Sequence, residues 1–443
     1  MLKPLLSEFD PANASEGSLD PVGLFSIADS LGVELAPGVR ERQTHPRFLT
    51  ALAVSTAVCS EFDDERIATD EVSEPWQVFE WYMVEGLVRT CEAVEIRGLP
   101  GREKASRALR DGVPLSAKRY LKNARAVGFH GVYRVLAEVL NIVSDGQIGE
   151  RGYQLLAVWA KEQRLNGFYP WPGMDPGRAV RQRLMEAVAD GLAKGATARS
   201  GGWDGWQFFR DHLIHSQCGR GEAEVIGSAL RSSEAPLRQE VMEFLVSPPG
   251  IEALEQARDP KWGGAWNERP FHEALLPGAS EPLQVQLRAI MAYETFSRLL
   301  QDAFDDCLVA MTRKGTRTSP AELAKEATVV EASERLADVF VEVSGLLEPL
   351  GKASQFHETF VALAARLDAV SWVEKLLEHH RTVQQRKPPE GKSPWFERFD
   401  DGSVCIRPLY RREQASRRDG SYVHAYRTGP LWSFARDLGM VES

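Results

Sequence analysis

The longest uninterrupted helical pattern in the sequence runs from Pro282 to Met311. Its apolar residues recur at the spacing of three and four that places them on one face of an α-helix. They are Leu283, Leu287, Ile290, Phe296, Leu299, Leu300 and Phe304. Further helical patterns precede and follow this one, whereas the segments that read as strands are short. The sequence therefore predicts a mainly α, multidomain helical protein.

The length of the chain predicts more than one domain. Its 443 residues exceed what one hydrophobic core usually organises, and 43% hydrophobic with 26% charged residues excludes wholesale disorder. The predicted regions are a helical N-terminal domain with a mobile leader of about 20 residues (1–96), a basic winged-helix-like segment (97–170), a helical domain (171–386) and a C-terminal α+β region (387–443).

No segment approaches the roughly 18 consecutive apolar residues that cross a bilayer, so we expect a cytoplasmic protein without a membrane partner. The cysteines are Cys59, Cys91, Cys218, Cys307 and Cys405. They are odd in number, scattered and without a CxxC pair, which predicts reduced thiols instead of a disulfide framework or a zinc ribbon.

Charge is distributed unevenly along the chain. The net charge is −10, and the segment Glu61–Glu85 contains nine acidic residues and one basic residue. The segment Arg97–Arg134 contains ten Lys or Arg against two acids, a local balance of +8. This basic segment is a candidate nucleic-acid contact in an otherwise acidic protein.

The order of elements around the basic segment resembles a winged helix. LSAKRYLKNA (115–124) is predicted to form a short basic helix, which GFHG (128–131) ends. A helix over GVYRVLAEVL (131–140) follows, then a tight hairpin at Asp145-Gly146, and then a helix over ERGYQLLAVWAKEQ (150–163).

Six residues of this segment are candidates for contact with DNA phosphates. They are Lys118, Arg119, Lys122 and Arg125 on the first helix, with His130 and Arg134 at the start of the next. Glu138 lies one turn after Arg134 and is expected to pair with it. The alternative interpretation is a solvated charged face beside a hairpin between core helices, or a surface for protein partners.

A second basic cluster lies near the C-terminus. The sequence predicts a β-hairpin over SPWFERF-DDG-SVCIRPLY (393–410), followed by an aromatic, arginine-bearing tail. Its candidate contacts with nucleic acid or a partner are Arg407, Arg411, Arg412, Arg417, Arg418 and Arg427. The alternative is a hairpin packed on helices, with these arginines in water.

The sequence assigns no catalytic residue, cofactor or metal. His212, His215 and Cys218 are spaced as helical neighbours, but no fourth ligand accompanies them. Four carboxylates of the long helix are instead expected to form a solvated face. They are Glu294, Asp302, Asp305 and Asp306. Since no motif supplies a nucleophile or base, an enzymatic activity is not assigned.

Three segments carry a resemblance to a protein family. DPVGLFSIADSLGVELAPG (20–38), HPRFLTALAV (45–54) and GFHGVYRVLAEVLNIVSDGQIGERGYQLL (128–156) resemble poorly characterised bacterial proteins of antiviral defence islands. The resemblance covers about the first 170 residues. It implies a role in defence against phage or foreign DNA, with catalysis in a helicase or nuclease encoded nearby.

The leading hypothesis is a non-catalytic subunit of a bacterial antiviral defence complex. It contacts DNA, preferably double-stranded, through the basic segment and works with a helicase or nuclease subunit. One alternative is an effector nuclease whose site is assembled from residues distant in sequence. The other is a structural scaffold in which the basic segment pairs with the acidic segment Glu61–Glu85.

Overall fold

The computed structural model describes residues 20–63, 66–169, 175–257, 267–388, 391–416 and 418–441. The predicted N-terminal leader lies almost wholly outside the described residues. The chain forms two compact units, each built from two separated stretches. The long-helix unit comprises Met1–Leu35 and Pro248–Tyr426, and the basic-segment unit comprises Ala36–Ser247 and Arg427–Ser443.

Helices dominate both units. In chain order the α-helices are α1 (Phe25–Leu35), α2 (Phe48–Cys59), α3 (Pro75–Thr90), α4 (Arg102–Arg110), α5 (Ala124–Val127), α6 (Phe129–Val139), α7 (Glu150–Glu162), α8 (Pro176–Lys194), α9 (Gly205–Leu213), α10 (Arg220–Leu230), α11 (Pro236–Leu245), α12 (Pro248–Ala257), α13 (Arg269–Leu275), α14 (Glu281–Lys314), α15 (Pro320–Leu323), α16 (Ala327–Leu347), α17 (Ala353–Phe360), α18 (Ala369–Gln385) and α19 (Thr428–Asp437). The strands are β1 (Val143–Ser144), β2 (Gln147–Ile148), β3 (Phe396–Arg398) and β4 (Val404–Ile406). The predicted mainly α fold with a small C-terminal hairpin is confirmed.

Helix α2 forms the centre of the basic-segment unit. All its residues from Phe48 to Val58 are buried, as expected for a helix that is apolar on every side. Helices α3, α6, α7 and α8 pack around it. The Phe48 ring lies 5.8 Å from that of Phe129 and 5.0 Å from that of Tyr133, so aromatic contacts join α2 to α6.

The predicted hairpin at Asp145-Gly146 is confirmed. Strands β1 and β2 are antiparallel, with Val143 opposite Ile148. Asp145 and Gly146 have φ angles of 49° and 78°, and two positive φ values in succession are the requirement of a type I′ turn. The helix that was predicted to precede this hairpin is confirmed as α6, and the helix predicted to follow it is confirmed as α7.

Helix α14, with 34 residues, is the central helix of the long-helix unit and packs along α16. All seven apolar residues of its predicted face are buried. Gly315, with a φ of 66°, ends the helix in the left-handed conformation that glycine adopts readily. Tyr293 Oη donates to the carbonyl oxygen of Leu24 at 2.7 Å, and this bond fastens the N-terminal stretch to the long helix.

The C-terminal hairpin closes the same unit. Phe396 pairs with Ile406 and Arg398 with Val404, and β4 packs against α14. The His380 ring anchors the hairpin to α18, because its Nε2 accepts the Trp395 N–H at 3.0 Å. Its Nδ1 donates to the carbonyl oxygen of Pro21 at 2.7 Å.

Candidate nucleic-acid interface

Residues 115–123 form turns joined by irregular backbone, so the predicted basic helix over 115–124 is wrong. Only the four residues of α5 that follow are helical. The Leu115 backbone pairs with Thr197 instead of with its own segment: its N–H donates to Thr197 Oγ1 at 3.0 Å, and its carbonyl accepts the Thr197 N–H at 2.9 Å. The Leu115 carbonyl therefore accepts the Thr197 N–H instead of the Arg119 N–H, which a helix would require and which bonds to Ser116 here.

Two buried side chains, Leu115 and Tyr120, hold this turn against the unit. Tyr120 Oη donates to Oε1 of Glu80 at 2.8 Å. The other oxygen of Glu80 accepts the backbone N–H of His130 at 3.0 Å, at the start of α6. The Glu80 carboxyl is fully buried and thereby joins α3, the turn and α6.

The turn presents its cations to solvent. Lys118, Arg119 and Lys122 are exposed, and their side chains make no hydrogen bond or ion pair with any described residue. These three residues are called the cationic turn below. Since Leu115 and Tyr120 point inward, the charged residues between and beside them are directed outward by a backbone fixed at both ends.

Arg125 is also exposed but has an acidic partner. Its guanidinium forms an ion pair with Glu74, a residue of the acidic segment, and lies over the ring of Trp76. The side chain of Arg125 remains 61% exposed in this pair. It therefore contacts protein and solvent at once.

His130 and Arg134, the last two predicted DNA contacts, offer less free positive charge than the cationic turn. His130 stacks on Trp76 with ring centroids 4.3 Å apart. Burial, with the nearby charges of Arg134 and Arg125, lowers the pKa of His130 to about 3, so the ring is neutral at physiological pH. Arg134 is exposed and its Nε lies 2.7 Å from Glu138, the pairing expected from the sequence.

Most of the C-terminal arginines bind carboxylates of their own unit. Arg412 pairs with Asp305 at 2.6 Å and Arg418 with Asp306 at 3.1 Å. Arg407 lies 3.8 Å from Glu397, and the buried Arg427 lies 3.0 Å from Glu41. Arg411 is exposed. Arg417 lies outside the described residues. These pairings leave little free charge for a nucleic acid.

The expected solvated acidic face on the long helix is wrong. Glu294, Asp302 and Asp306 are buried, and the chain that follows the C-terminal hairpin contacts Glu294 and Asp306. Tyr426 Oη donates to Glu294 Oε1 at 2.7 Å, and Ser416 N–H donates to Asp306 at 2.8 Å. The carboxylates therefore serve as acceptors for a distant part of the sequence.

His212, His215 and Cys218 do not share a helix, because α9 ends at Leu213. His215 stacks on Phe48 and its Nε2 donates to the carbonyl oxygen of Arg97 at 2.9 Å. Across the residues that the structure describes, no group of three or more His, Cys, Asp or Glu side chains is placed to hold a metal ion.

Sequence reasoning missed the buried ion pair between Arg47 and Glu222. Their closest atoms, Nη2 and Oε1, are 3.0 Å apart, and the side chains are 2% and 0% exposed. Thr50 Oγ1 donates to the same carboxylate at 2.9 Å. Arg47 lies in an apolar helical pattern 175 residues from its partner, so no local spacing could indicate the pair.

Fold and site together define a mainly α-helical protein with a fixed, solvent-facing cationic turn. The chain matches no protein-family model, no curated protein and no solved structure. Among the described helices, none has both the length and the apolar character needed to span a membrane.

Proposed function

We propose that this protein is a non-catalytic subunit that contacts DNA phosphates through the cationic turn. The observation that carries this proposal is the exposure of Lys118, Arg119 and Lys122 without an acidic partner among the described residues. Three free cations within five residues form a compact positive site, and a phosphate backbone is the ligand that neutralises such a site most directly.

The proposed contact is independent of base sequence. Helix α6, which follows the turn, buries Val132, Tyr133, Leu136 and Ala137, and its exposed Arg134 is paired with Glu138. Such a face offers few donors to base edges in a major groove. The turn therefore positions the protein on the backbone, and the proposed preference for a duplex follows from its higher density of phosphates.

The proposal includes a partner. With a net charge of −10, most of the surface repels DNA, so one small cationic site supports weak binding by itself. A second DNA-binding subunit would increase the affinity through effective concentration. The resemblance of the first 170 residues to antiviral defence proteins favours a helicase or nuclease of the same complex in this role.

The test compares two triple variants of equal charge. K118E/R119E/K122E reverses the cationic turn, and K161E/R164E/K194E reverses three exposed cations elsewhere in the same unit. Labelled duplex and single-stranded DNA are titrated with each protein at about 50 and 200 mM salt. We expect the turn variant to lose at least about tenfold in duplex affinity and to reduce the salt slope by up to about 3, because each phosphate contact contributes about 0.9.

The control variant is expected to stay within a few-fold of the native protein. Equal losses in both variants would show that net charge alone governs binding, and an unchanged turn variant would exclude the turn as the contact. The nuclease alternative is tested in the same preparations by cleavage of plasmid with divalent metal ions, which the proposed function predicts to be absent.

One observation favours the scaffold as a second candidate function. Arg125 pairs with Glu74, so the basic and acidic segments already contact each other within one unit. If that pairing is the role of the basic segment, R125E lowers stability, E74R/R125E restores it, and the cationic-turn variant leaves DNA affinity unchanged. Thermal unfolding of these variants separates this candidate from DNA contact.

A further inference from the structure

The long-helix unit contains a cavity lined by four arginines. The cavity has a volume of about 220 Å³, and its walls include Arg269, Arg298, Arg335 and Arg418. We propose that this cavity binds a compact phosphate-bearing anion, such as pyrophosphate or the phosphate ester of a small sugar. The site lies in a different unit from the cationic turn and does not depend on the proposed DNA contact.

The four guanidinium groups come from separate parts of the unit. Arg298 projects from α14, Arg335 from α16 and Arg269 from the start of α13. Arg418 comes from the segment after the C-terminal hairpin. Long-range folding therefore brings four like charges to one small volume, where their mutual repulsion has to be offset.

Carboxylates offset part of that charge and hold each guanidinium in place. Arg298 lies 2.9 Å from Asp302, and Arg335 pairs with Glu331. The other two pairs are Arg269 with Glu273 at 2.9 Å and Arg418 with Asp306 at 3.1 Å. Asp302 and Glu331 line the cavity, whereas Glu273 and Asp306 contact their arginines without being part of the lining.

Donors remain available in these pairs. A guanidinium carries five N–H groups, and the carboxylates of this site use one or two on each arginine. Nε of Arg298 is buried and has no hydrogen-bond partner among the described residues. Arg269 also donates to the carbonyl oxygen of Gly420 at 3.2 Å, which ties the cavity wall to the segment that carries Arg418. Fixed guanidinium groups with unused N–H groups are suited to phosphate oxygens.

The other lining residues limit the class of ligand. They are Thr295, Thr328, Leu299 and Gly420, and the described lining includes no aromatic side chain on which a nucleobase could stack. The volume is below the usual range of pockets for drug-sized molecules. The carboxylates of Asp302 and Glu331 can accept hydrogen bonds from hydroxyl groups. A small phosphate or sugar phosphate therefore matches the site better than a nucleotide.

The test is calorimetric titration of the full-length protein with pyrophosphate, ribose 5-phosphate, sulfate and ATP. R269Q/R335Q removes two partly exposed guanidinium groups from the cavity, and R288Q/R366Q is the matched control from the same unit. We expect pyrophosphate or ribose 5-phosphate to bind at least about tenfold more tightly than sulfate, and the cavity variant to lose at least about tenfold in that affinity while the control does not.

Three results would overturn the proposal. The first is the absence of binding by both phosphate compounds at millimolar concentration. The second is equal affinity for sulfate, or an equal loss in both variants, which would indicate only general anion attraction. The third is tighter binding of ATP than of both compact anions. Circular dichroism of each variant establishes that a loss of binding does not come from unfolding.

Discussion

The hydroxyl group of Tyr120 donates a hydrogen bond of 2.8 Å to the carboxyl group of Glu80, and both side chains are buried. The same carboxyl group accepts the backbone N–H of His130 at the start of α6. One acidic residue thus sets the position of the turn that carries Lys118, Arg119 and Lys122.

This contact predicts a pH-dependent stability. Burial raises the pKa of Glu80 to about 7 from 4.5, although the hydrogen bonds from Tyr120, His130 and Phe129 act in the opposite direction. The folded chain therefore holds this proton more tightly than the unfolded chain. The stabilisation is complete below pH 4.5 and is lost as the pH rises towards 7, an effect of about 3 kcal/mol.

The variant E80Q isolates this effect, because glutamine keeps an acceptor and carries no charge. We compare the free energies of unfolding of E80Q and the native protein. As the pH rises from 4.5 to about 8, we expect their difference to change by about 3 kcal/mol in favour of E80Q. Urea unfolding at several pH values measures the difference. Buried histidines such as His130 and His215, whose pKa values are lowered, titrate in both proteins and cancel. A pH-independent difference would contradict the prediction.

The second prediction concerns the buried pair Arg47–Glu222. R47M leaves the Glu222 carboxylate buried without its cation and removes the donor to the carbonyl oxygen of Ile214. We expect a loss of about 3–5 kcal/mol in the free energy of unfolding, measured with urea. R47M/E222Q should recover part of this loss.

A surface pair provides the control for this prediction. R220Q disrupts the exposed pair Arg220–Glu224 on the same helix as Glu222, at an expected cost below about 1 kcal/mol. Equal effects of R47M and R220Q would mean that the burial of Arg47 and Glu222 has no energetic consequence.

The third prediction concerns the segment that covers the long helix. Asp306 accepts hydrogen bonds from Thr328, the Ser416 N–H and Arg418 at 2.9, 2.8 and 3.1 Å. Burial alone would raise the pKa of Asp306, but these hydrogen bonds lower it, so the carboxylate is charged at neutral pH. D306N weakens the charge-assisted bonds by about 2 kcal/mol in total.

Limited proteolysis measures this loosening. We expect trypsin to cleave D306N after Arg412 about thirtyfold faster than the native protein, because cleavage follows the population of the opened segment. D338N is the control, since Asp338 pairs with Arg366 on the surface. Similar cleavage rates in the native protein and D306N would show that other contacts hold the segment.

The sequence predicted features that depend on near neighbours. The Asp145-Gly146 turn and the apolar face of the long helix are set by local backbone preference and by periodicity, so both are confirmed. The turn at 115–123 could not be predicted, because Thr197 and Glu80 pair with it from distant positions. The composition predicted the exposed charges of this turn, but it could not predict the conformation of the backbone that carries them.

The same reason explains the acidic residues of the long helix. Glu294, Asp305 and Asp306 have the spacing of a solvated face, and each has a partner more than a hundred residues further along the chain. A pattern confined to one helix cannot reveal a segment that returns to cover it. The Arg47–Glu222 pair could not be predicted for the same reason, because its two residues are far apart in the sequence.

The construction of each unit from two separated stretches has a consequence for biosynthesis. In the basic-segment unit, Arg427 pairs with Glu41, and Asp437 lies 2.6 Å from Nδ1 of His45, across 386 and 392 residues of sequence. The ribosome must therefore translate 386 residues beyond Glu41 and 392 residues beyond His45 before the respective contacts can form. Until then Glu41 and His45 lack these partners and α11 lacks its contact with α19, so a partly folded form of this unit precedes the complete one.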